Sequence, residues 1–233
     1  MIELSCEEPA PGLKVWQPLR GFRYGLDAIL LAGWALEGGR PKRFLDVGTG
    51  SGIVALLLAR AGIPGMGVDV RSEWIELARR SAEDSGLDNV SFVHSDVRTA
   101  AIDGVDLVLA NPPYRPEGQG TMSPDPGKAA STHEMSGTLA ELVEAMCKLG
   151  DRVALVLPIQ REAEARDALA RAGRAPRRLL RFDDTLALIE GGKTPSTLHV
   201  EVGSIREGGA YSVRVRTLYA RTGARLAAPA GRV

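Results

Sequence analysis

The chain has 233 residues, of which 44% are hydrophobic and 25% are charged, and its formal net charge is zero. This composition is typical of a globular protein and excludes an intrinsically disordered chain. No apolar run reaches the roughly 20 residues of a membrane-spanning helix, and the acidic N-terminus lacks the basic and then apolar order of a signal peptide. We therefore expect a cytoplasmic protein without a membrane partner.

The length is enough for one α/β domain with modest additions. Residues 1–40 are predicted to be an N-terminal extension with a capping helix over Asp27–Leu36, whose first residue is the N-cap. Residues 41–205 are the main domain, in which short apolar runs alternate with helical patterns. Residues 206–233 are predicted to be a C-terminal edge strand over Ser212–Tyr219 and a loose tail.

The alternation in the main domain predicts a parallel sheet. The predicted strands are Arg43–Gly48, Gly65–Val70, Val90–His94, Val105–Ala110, Arg152–Leu157, Arg178–Phe182 and Thr197–Val202. The predicted helices are Ile53–Ala61, Ser72–Ser85, Gly137–Leu149 and Glu162–Ala172. Residues 111–135 are predicted to form a loop rich in Gly, Pro and Ser. Loops of this length inside a compact domain are often functional.

A glycine-rich turn follows the first predicted strand. Phe44–Gly52 runs from a strand through three alternating glycines into a helix, and glycines there let the backbone approach a ligand closely. Acidic residues stand at or near the carboxyl ends of three successive strands, at Asp46, Asp69 and Asp96. In an open α/β sheet these strand ends face the ligand crevice.

Two cofactors compete for this arrangement. A dinucleotide needs the spacing G-x-G-x-x-G, with the pyrophosphate on the helix N-terminus. Here the spacing is G-x-G-x-G, and Ile53 stands where the last glycine should be. The carboxylate of Asp46 would repel a pyrophosphate and attract a cationic ligand, so the three acids favour the sulfonium nucleoside S-adenosylmethionine over NAD.

The sequence Asn111-Pro112-Pro113-Tyr114 directly follows the predicted strand Val105–Ala110. Neither proline can donate a backbone N–H, so the strand's ladder ends there and hydrogen-bond acceptors remain beside an aromatic ring. Such a site suits a flat group with an NH2, either a nucleobase amine or a side-chain amide. The alternative is a tight loop that binds nothing.

Taken in order, the glycine turn, Asp69, Asp96 and the Asn-Pro-Pro-Tyr sequence resemble the class I S-adenosylmethionine-dependent methyltransferases, and within them the branch that methylates nitrogen on adenine, guanine or glutamine. The resemblance covers about residues 10–205. It implies an α/β, Rossmann-like fold with a central, mostly parallel seven-stranded sheet and helices on both faces. Gln17–Ala32, Lys128–Glu134 and the Gly-Gly-x-x-Pro turn before the final strand resemble more closely the tRNA adenine-N6 methyltransferases that act beside the valine anticodon.

The resemblance implies three groups of site residues. The implied catalytic residues are Asn111, Pro112, Pro113 and Tyr114. The implied cofactor residues are Asp46, Gly48 and Gly50 at the methionine end, Asp69 and Val70 at the ribose, Asp96 and Val97 around the adenine, and Phe22, Arg23 and Tyr24 over the cofactor. The candidate substrate residues are Arg115, Lys128 and His133; the alternative for His133 and Lys128 is that they are loop residues without a role. Arg23 is expected to be available to the cofactor's carboxylate.

The implied activity is methyl transfer to an exocyclic amine of a nucleobase, with adenine N6 in tRNA as the expected target. A ribosomal RNA base methyltransferase stays open. So does a release-factor glutamine methyltransferase, although those proteins carry a sizeable helical domain before the glycine turn, where this chain has about 45 residues. An inactive RNA-binding protein on the same fold is the alternative of another class. The oligomeric state is open between monomer and homodimer.

The remaining motifs carry less information. The two cysteines, Cys6 and Cys147, lie far apart, and neither they nor the histidines have metal-ligand spacing, so no metal is expected. The segment 171–181 contains five arginines and no acid. It predicts either a basic face that attracts a polyanion or a solvated helix end followed by an edge strand.

Overall fold

The computed structural model describes residues 3–21, 23–112 and 137–226. An antiparallel hairpin that the sequence analysis missed opens the chain, with β1 at Leu4–Ala10 and β2 at Leu13–Pro18. The turn between them places Gly12 at a φ of 75°, a conformation that glycine adopts without steric cost. Residues of β2 are alternately buried and more exposed, as expected of a strand with one face on the core.

Helix α1 spans Leu26–Glu37 and is almost completely buried, as its nearly continuous apolar sequence requires. Its N-cap is Gly25, and no side chain caps the helix. The prediction that Asp27 is the N-cap is therefore wrong, because Asp27 lies inside the first turn. Its carboxylate accepts a hydrogen bond from the side chain of Asn111.

The main sheet has eight strands among the described residues. Beginning with β3, its strands are Phe44–Val47, Gly65–Asp69, Val90–His94, Val105–Ala110, Gly150–Pro158, Ala175–Phe182, Leu186–Gly192 and His199–Gly203, numbered β3 to β10. The spatial order is β10-β8-β9-β7-β6-β3-β4-β5, and only β9 runs antiparallel to its neighbours. The predicted mostly parallel sheet is confirmed.

Helices cover both faces of the sheet. The helices α2 to α5 span Ile53–Arg60, Ser72–Asp84, Leu139–Leu149 and Glu162–Arg171. Side chains of α1, α2 and α3 share one apolar cluster, whereas those of α4 and α5 share another. Alternate residues of β6 enter the two clusters, Leu107 and Leu109 on one side and Val108 and Ala110 on the other, which is the two-residue period of a strand.

The predicted count of seven strands needs correction, because Leu186–Gly192 is an eighth. Asp183 has a φ of 47° in the tight connection from β8 to β9. This connection contains neither Gly nor Pro, the residues from which most turns are predicted. The expected Gly-Gly-x-x-Pro turn begins with Gly191 and Gly192, but both glycines belong to β9. A Cβ on Gly192 would lie 2.7 Å from the Arg177 Cδ, so packing explains this glycine.

The predicted edge strand Ser212–Tyr219 is wrong, because the chain forms helix α6 over Val213–Thr222. Ser212 is the N-cap, and its Oγ accepts a hydrogen bond from the Val215 N–H at 3.2 Å. Before it, β11 (Arg206–Glu207) and β12 (Ala210–Tyr211) form a short hairpin. The buried residues Val215, Leu218, Tyr219 and Thr222 have helical spacing, whereas the apparent alternation depended on Val213, which is exposed.

The fold determines where a ligand can bind. The chain leaves the neighbouring central strands β3 and β6 in opposite directions along the sheet. It continues from β3 to β4 and β5 on one side, and from β6 to β7 on the other. A crevice forms at such a point, outside the carboxyl ends of the strands. The turn after β3 and Asn111 after β6 therefore meet at the same edge.

Candidate functional site: a cleft at the carboxyl ends of the strands

The turn between β3 and α2 forms one wall of the cleft. Gly48, Gly50 and Gly52 have φ values of 67°, 53° and 87°, and L side chains are strained in this region. The turn is held against β4, because the Thr49 N–H donates to the Val68 carbonyl at 3.0 Å. Backbone with little side-chain cover therefore lines the cleft at Gly48 and Gly50.

Asp46 lies at the base of this turn and is 1% exposed. The Thr49 hydroxyl donates a hydrogen bond of 2.6 Å to its Oδ2. Burial raises the pKa of Asp46 to about 7, while the hydrogen bonds from Thr49 and from the Ala55 backbone oppose the rise. No cationic side chain within the described ranges is paired with Asp46. The cleft thus contains a buried acid that a positive ligand would stabilise in its ionised form.

Asp69 ends β4 and is also buried. Its Oδ2 accepts the Gly50 N–H at 3.0 Å, and its Oδ1 accepts the Arg71 N–H at 3.0 Å. These bonds tie the glycine turn to the next strand. The Arg71 Nε also lies 3.4 Å from the Oδ1. A carboxylate has about four acceptor sites, so one remains for a ligand hydroxyl, and the expected contact with the ribose stays a prediction. The next residue, Val70, is half-buried, and its carbonyl is 2.8 Å from the His94 Nε2.

Asp96 and Val97 follow β5. The Arg98 guanidinium and backbone N–H both bind Asp96, and the Arg98 side chain holds the pKa of this carboxyl below its usual range. Val97 packs against the apolar cluster that contains α4 and α5. Their suggested contact with the adenine stays a prediction.

Asn111 directly follows β6 and is half-buried, and Pro112 after it is buried. The Asn111 Nδ2 donates a hydrogen bond of 3.0 Å to the Asp27 Oδ2 on α1. This contact joins positions 84 residues apart in the chain, and nothing in the local sequence of either residue indicates it. One cleft is lined by Tyr24, Ala28, Asp46, Gly48, Thr49, Gly50, Ser51, Ile53, Val54 and Asn111.

Of the N-terminal residues Arg23 and Tyr24, Tyr24 is part of the cleft lining, and both side chains contact β1. Tyr24 lines the cleft, and its hydroxyl donates to the Glu7 Oε2 at 2.7 Å. Burial and Glu7 raise the pKa of Tyr24. Arg23 forms an ion pair with Glu7 and donates to the Ser5 hydroxyl at 3.0 Å. The unpredicted β1–β2 hairpin thus supplies partners for Arg23, and its contact with the cofactor's carboxylate stays a prediction.

Six predicted site residues lie outside the described residues: Phe22, Pro113, Tyr114, Arg115, Lys128 and His133. Their assignments stay predictions. No group of three or more potential metal ligands occurs in the part of the chain that the structure describes, and no helix there is long and apolar enough to cross a membrane.

The arginine-rich segment 171–181 is largely engaged within the fold. Arg174 is buried and donates to the Gly150 carbonyl at 2.9 Å, at the end of α4. Arg178 binds Glu37 and Glu190, and Arg181 binds Glu162. The named arginines join elements of this fold, so the sequence cluster does not by itself define a polyanion surface.

The comparisons with known proteins agree with this architecture. Residues 40–157 match the family model described as a methyltransferase domain, and the chain belongs to that family. Its fold resembles that of a SAM-dependent methyltransferase from Aquifex aeolicus, with a TM-score of 0.53, 17% identity, and coverage of 74% of this chain and 100% of that one. The predicted fold class and family are confirmed.

Several curated methyltransferases are similar to this chain. The chain is 32% identical to the tRNA1(Val) (adenine(37)-N6)-methyltransferase of Tolumonas auensis over 158 residues. The aligned segment covers 65% of each protein. It is 38% identical over 93 residues to the release factor glutamine methyltransferase of Rhodospirillum rubrum, covering 39% of this chain and 29% of the relative. TrmN from Thermus thermophilus aligns with a TM-score of 0.50 and 27% identity, over 71% of this chain and 48% of that one. The matches thus span less than two thirds of these relatives' lengths.

Proposed function

We propose that the protein transfers a methyl group from S-adenosylmethionine to an exocyclic amine of a nucleobase, with adenine N6 in a tRNA as the substrate. The observation that carries the proposal is the position of Asn111, which lines the same cleft as the glycine turn and Asp46. The similarity to a tRNA adenine-N6 methyltransferase supports the choice of substrate. Such a substrate implies a cytoplasmic enzyme.

The residues of the cleft fit this cofactor. A buried acid without a cationic partner among the described residues suits a ligand with a sulfonium and an ammonium group. Asp46, Gly48 and Gly50 would hold the methionine end, and Asp69 would hold the ribose. The cofactor supplies an electrophilic methyl group, and the chain supplies the positions of the two reactants.

Asn111 would act on the amine that receives the methyl group. The lone pair of an aromatic amine is delocalised into the ring, so the nitrogen is a weak nucleophile. The Asn111 Oδ1 and the Pro112 carbonyl would each accept one amine N–H. As the nitrogen becomes tetrahedral its protons become more acidic, so these acceptors stabilise the transition state more than the ground state. No strong general base is needed, because the proton can leave after the transfer.

The substrate base must be accessible to this cleft. An amine inside a duplex is out of reach, so the target would be unpaired or flipped out. Tyr114 would stack on the base, a contact worth roughly 1–3 kcal/mol. Arg115, Lys128 and His133, which belong to the predicted loop over residues 111–135, would bind the RNA. All four assignments rest on the sequence.

A release factor glutamine is the second candidate substrate. The similarity to the Rhodospirillum rubrum enzyme favours it, and a glutamine side chain also presents an amide NH2 to paired acceptors. Ribosomal RNA is the third candidate.

The test uses methyl-labelled S-adenosylmethionine with separate pools of unmodified tRNA, ribosomal RNA and release factor. We expect label in tRNA as N6-methyladenosine, and at least a 100-fold lower rate with Asn111→Ala. Binding of S-adenosylhomocysteine should change less than threefold in this variant, because Asn111 acts on the amine. Label only in another pool would refute the substrate, and cofactor binding without any transfer would favour an inactive RNA-binding protein.

A further inference from the structure

The side chain of Asp27 forms a hydrogen bond with that of Asn111. Asp27 lies in the first turn of α1, which is buried and packs against α2 and α6. Its carboxylate is 3.0 Å from the Asn111 Nδ2. Since α1 is packed on several sides, the position of this carboxylate is determined by the whole fold.

The contact determines which end of the amide meets Asp27. An ionised carboxylate only accepts hydrogen bonds, so it pairs with the Nδ2 of Asn111 and not with the Oδ1. A rotation of the amide by 180° would place two oxygens against each other at Asp27. It would also offer an N–H to an amine that needs an acceptor.

The charge of Asp27 has a second effect. A hydrogen bond from Nδ2 to a charged acceptor is stronger than a neutral one. It also polarises the amide, which increases the negative charge on its oxygen. An amide oxygen directed at the substrate amine would then be a better acceptor at the moment when the amine protons become acidic.

The residue two positions before Asp27 accommodates this carboxylate. A Cβ on Gly25 would lie 2.6 Å from the Asp27 Oδ1, so the glycine leaves space for the carboxylate in this orientation. The negative charge is also favourable in the first turn of a helix.

We propose that Asp27 is a positioning residue for methyl transfer, which orients and polarises the Asn111 amide so that its oxygen accepts a hydrogen bond from the substrate amine. The proposal rests on the proposed function, because it assigns a role within the same reaction. Asp27 itself does not touch the substrate.

An exchange of the two side chains tests the idea. Asp27→Asn should lower kcat about 10- to 100-fold, with the KM for S-adenosylmethionine within threefold of the wild type. Asn111→Asp should lower kcat more, because it places two carboxylates against each other. In the double variant Asp27→Asn/Asn111→Asp, the new amide donates to the new carboxylate, and an acceptor again faces the cleft. Its kcat should exceed that of Asn111→Asp at least tenfold.

Two further variants separate positioning from folding. Gly25→Ala should displace the Asp27 carboxylate and lower kcat while S-adenosylhomocysteine still binds. Asp88→Asn makes the same chemical change as Asp27→Asn at an exposed position and should leave kcat unchanged. Thermal melting of each variant checks the fold.

The outcomes distinguish the two proposals. An active wild type with an unchanged kcat in Asp27→Asn refutes the positioning role alone. So does a double variant no faster than Asn111→Asp, because the positioning role requires that a restored amide–carboxylate pair restores turnover. A wild type that binds S-adenosylhomocysteine but methylates none of the pools overturns the proposed function, and the role of Asp27 with it.

Discussion

Replacement of Asp46 by Asn should stabilise the protein at alkaline pH and leave it little changed at acid pH. Asp46 is buried, and its pKa is raised from 3.8 to about 7. Between these values the folded state binds a proton that the unfolded state has largely lost. The free energy of unfolding therefore falls as the pH rises through this window. An asparagine at the same position does not titrate.

The size of the effect follows from the two pKa values. Relative to low pH, the group lowers the stability by roughly 1.5 kcal/mol at pH 5 and by roughly 4 kcal/mol at pH 8. The difference between variant and wild type should therefore change by roughly 2.5 kcal/mol between the two pH values. Any constant effect of the new amide on the hydrogen bond from Thr49 cancels in this comparison.

Urea unfolding of the cofactor-free protein at pH 5, 6, 7 and 8 measures this difference. With a slope of about 1–3 kcal/mol per molar urea, the midpoint of Asp46→Asn should gain on that of the wild type by roughly 1 M between the two ends. Asp88→Asn, at an exposed position, is the matched control and should give parallel curves. Parallel curves for Asp46→Asn as well would refute the reasoning.

Three further predictions concern cofactor binding, an ion-pair site and helix packing. The affinity for S-adenosylmethionine should rise about tenfold from pH 6 to pH 8 by calorimetry as Asp46 ionises, and a flat profile would exclude Asp46 from binding. Glu37→Gln should lower the free energy of unfolding by roughly 2 kcal/mol, because it weakens a half-buried site shared by three arginines. Glu144→Gln, in an exposed ion pair, is the control and should leave the urea midpoint unchanged. Gly33→Ala should destabilise the protein in urea although alanine is the better helix former, since its Cβ would lie 2.2 Å from the Leu218 carbonyl oxygen; a gain in stability would contradict this packing.

Much of the sheet was predictable because its signals are local. Short apolar runs bounded by glycines gave strands β3 to β7 within a few residues of their observed bounds. The errors occurred where the local signal was ambiguous. Strand β9 follows a turn built on Asp183 with neither Gly nor Pro, and α6 begins with alternating valines that resemble a strand. The hairpin β1–β2 lay in a segment where only a helix was predicted.

The sequence by itself determined the kind of site. The glycine turn, Asp46 and Asn111 are chemical features of single segments, and their places at strand ends follow from the periodicity of the chain. Only the tertiary structure decided the partners of the polar groups, with Asn111 bound to Asp27 and Arg23 bound to Glu7. Such partners depend on which elements pack together across the fold, and a local pattern of residues carries no information about that choice.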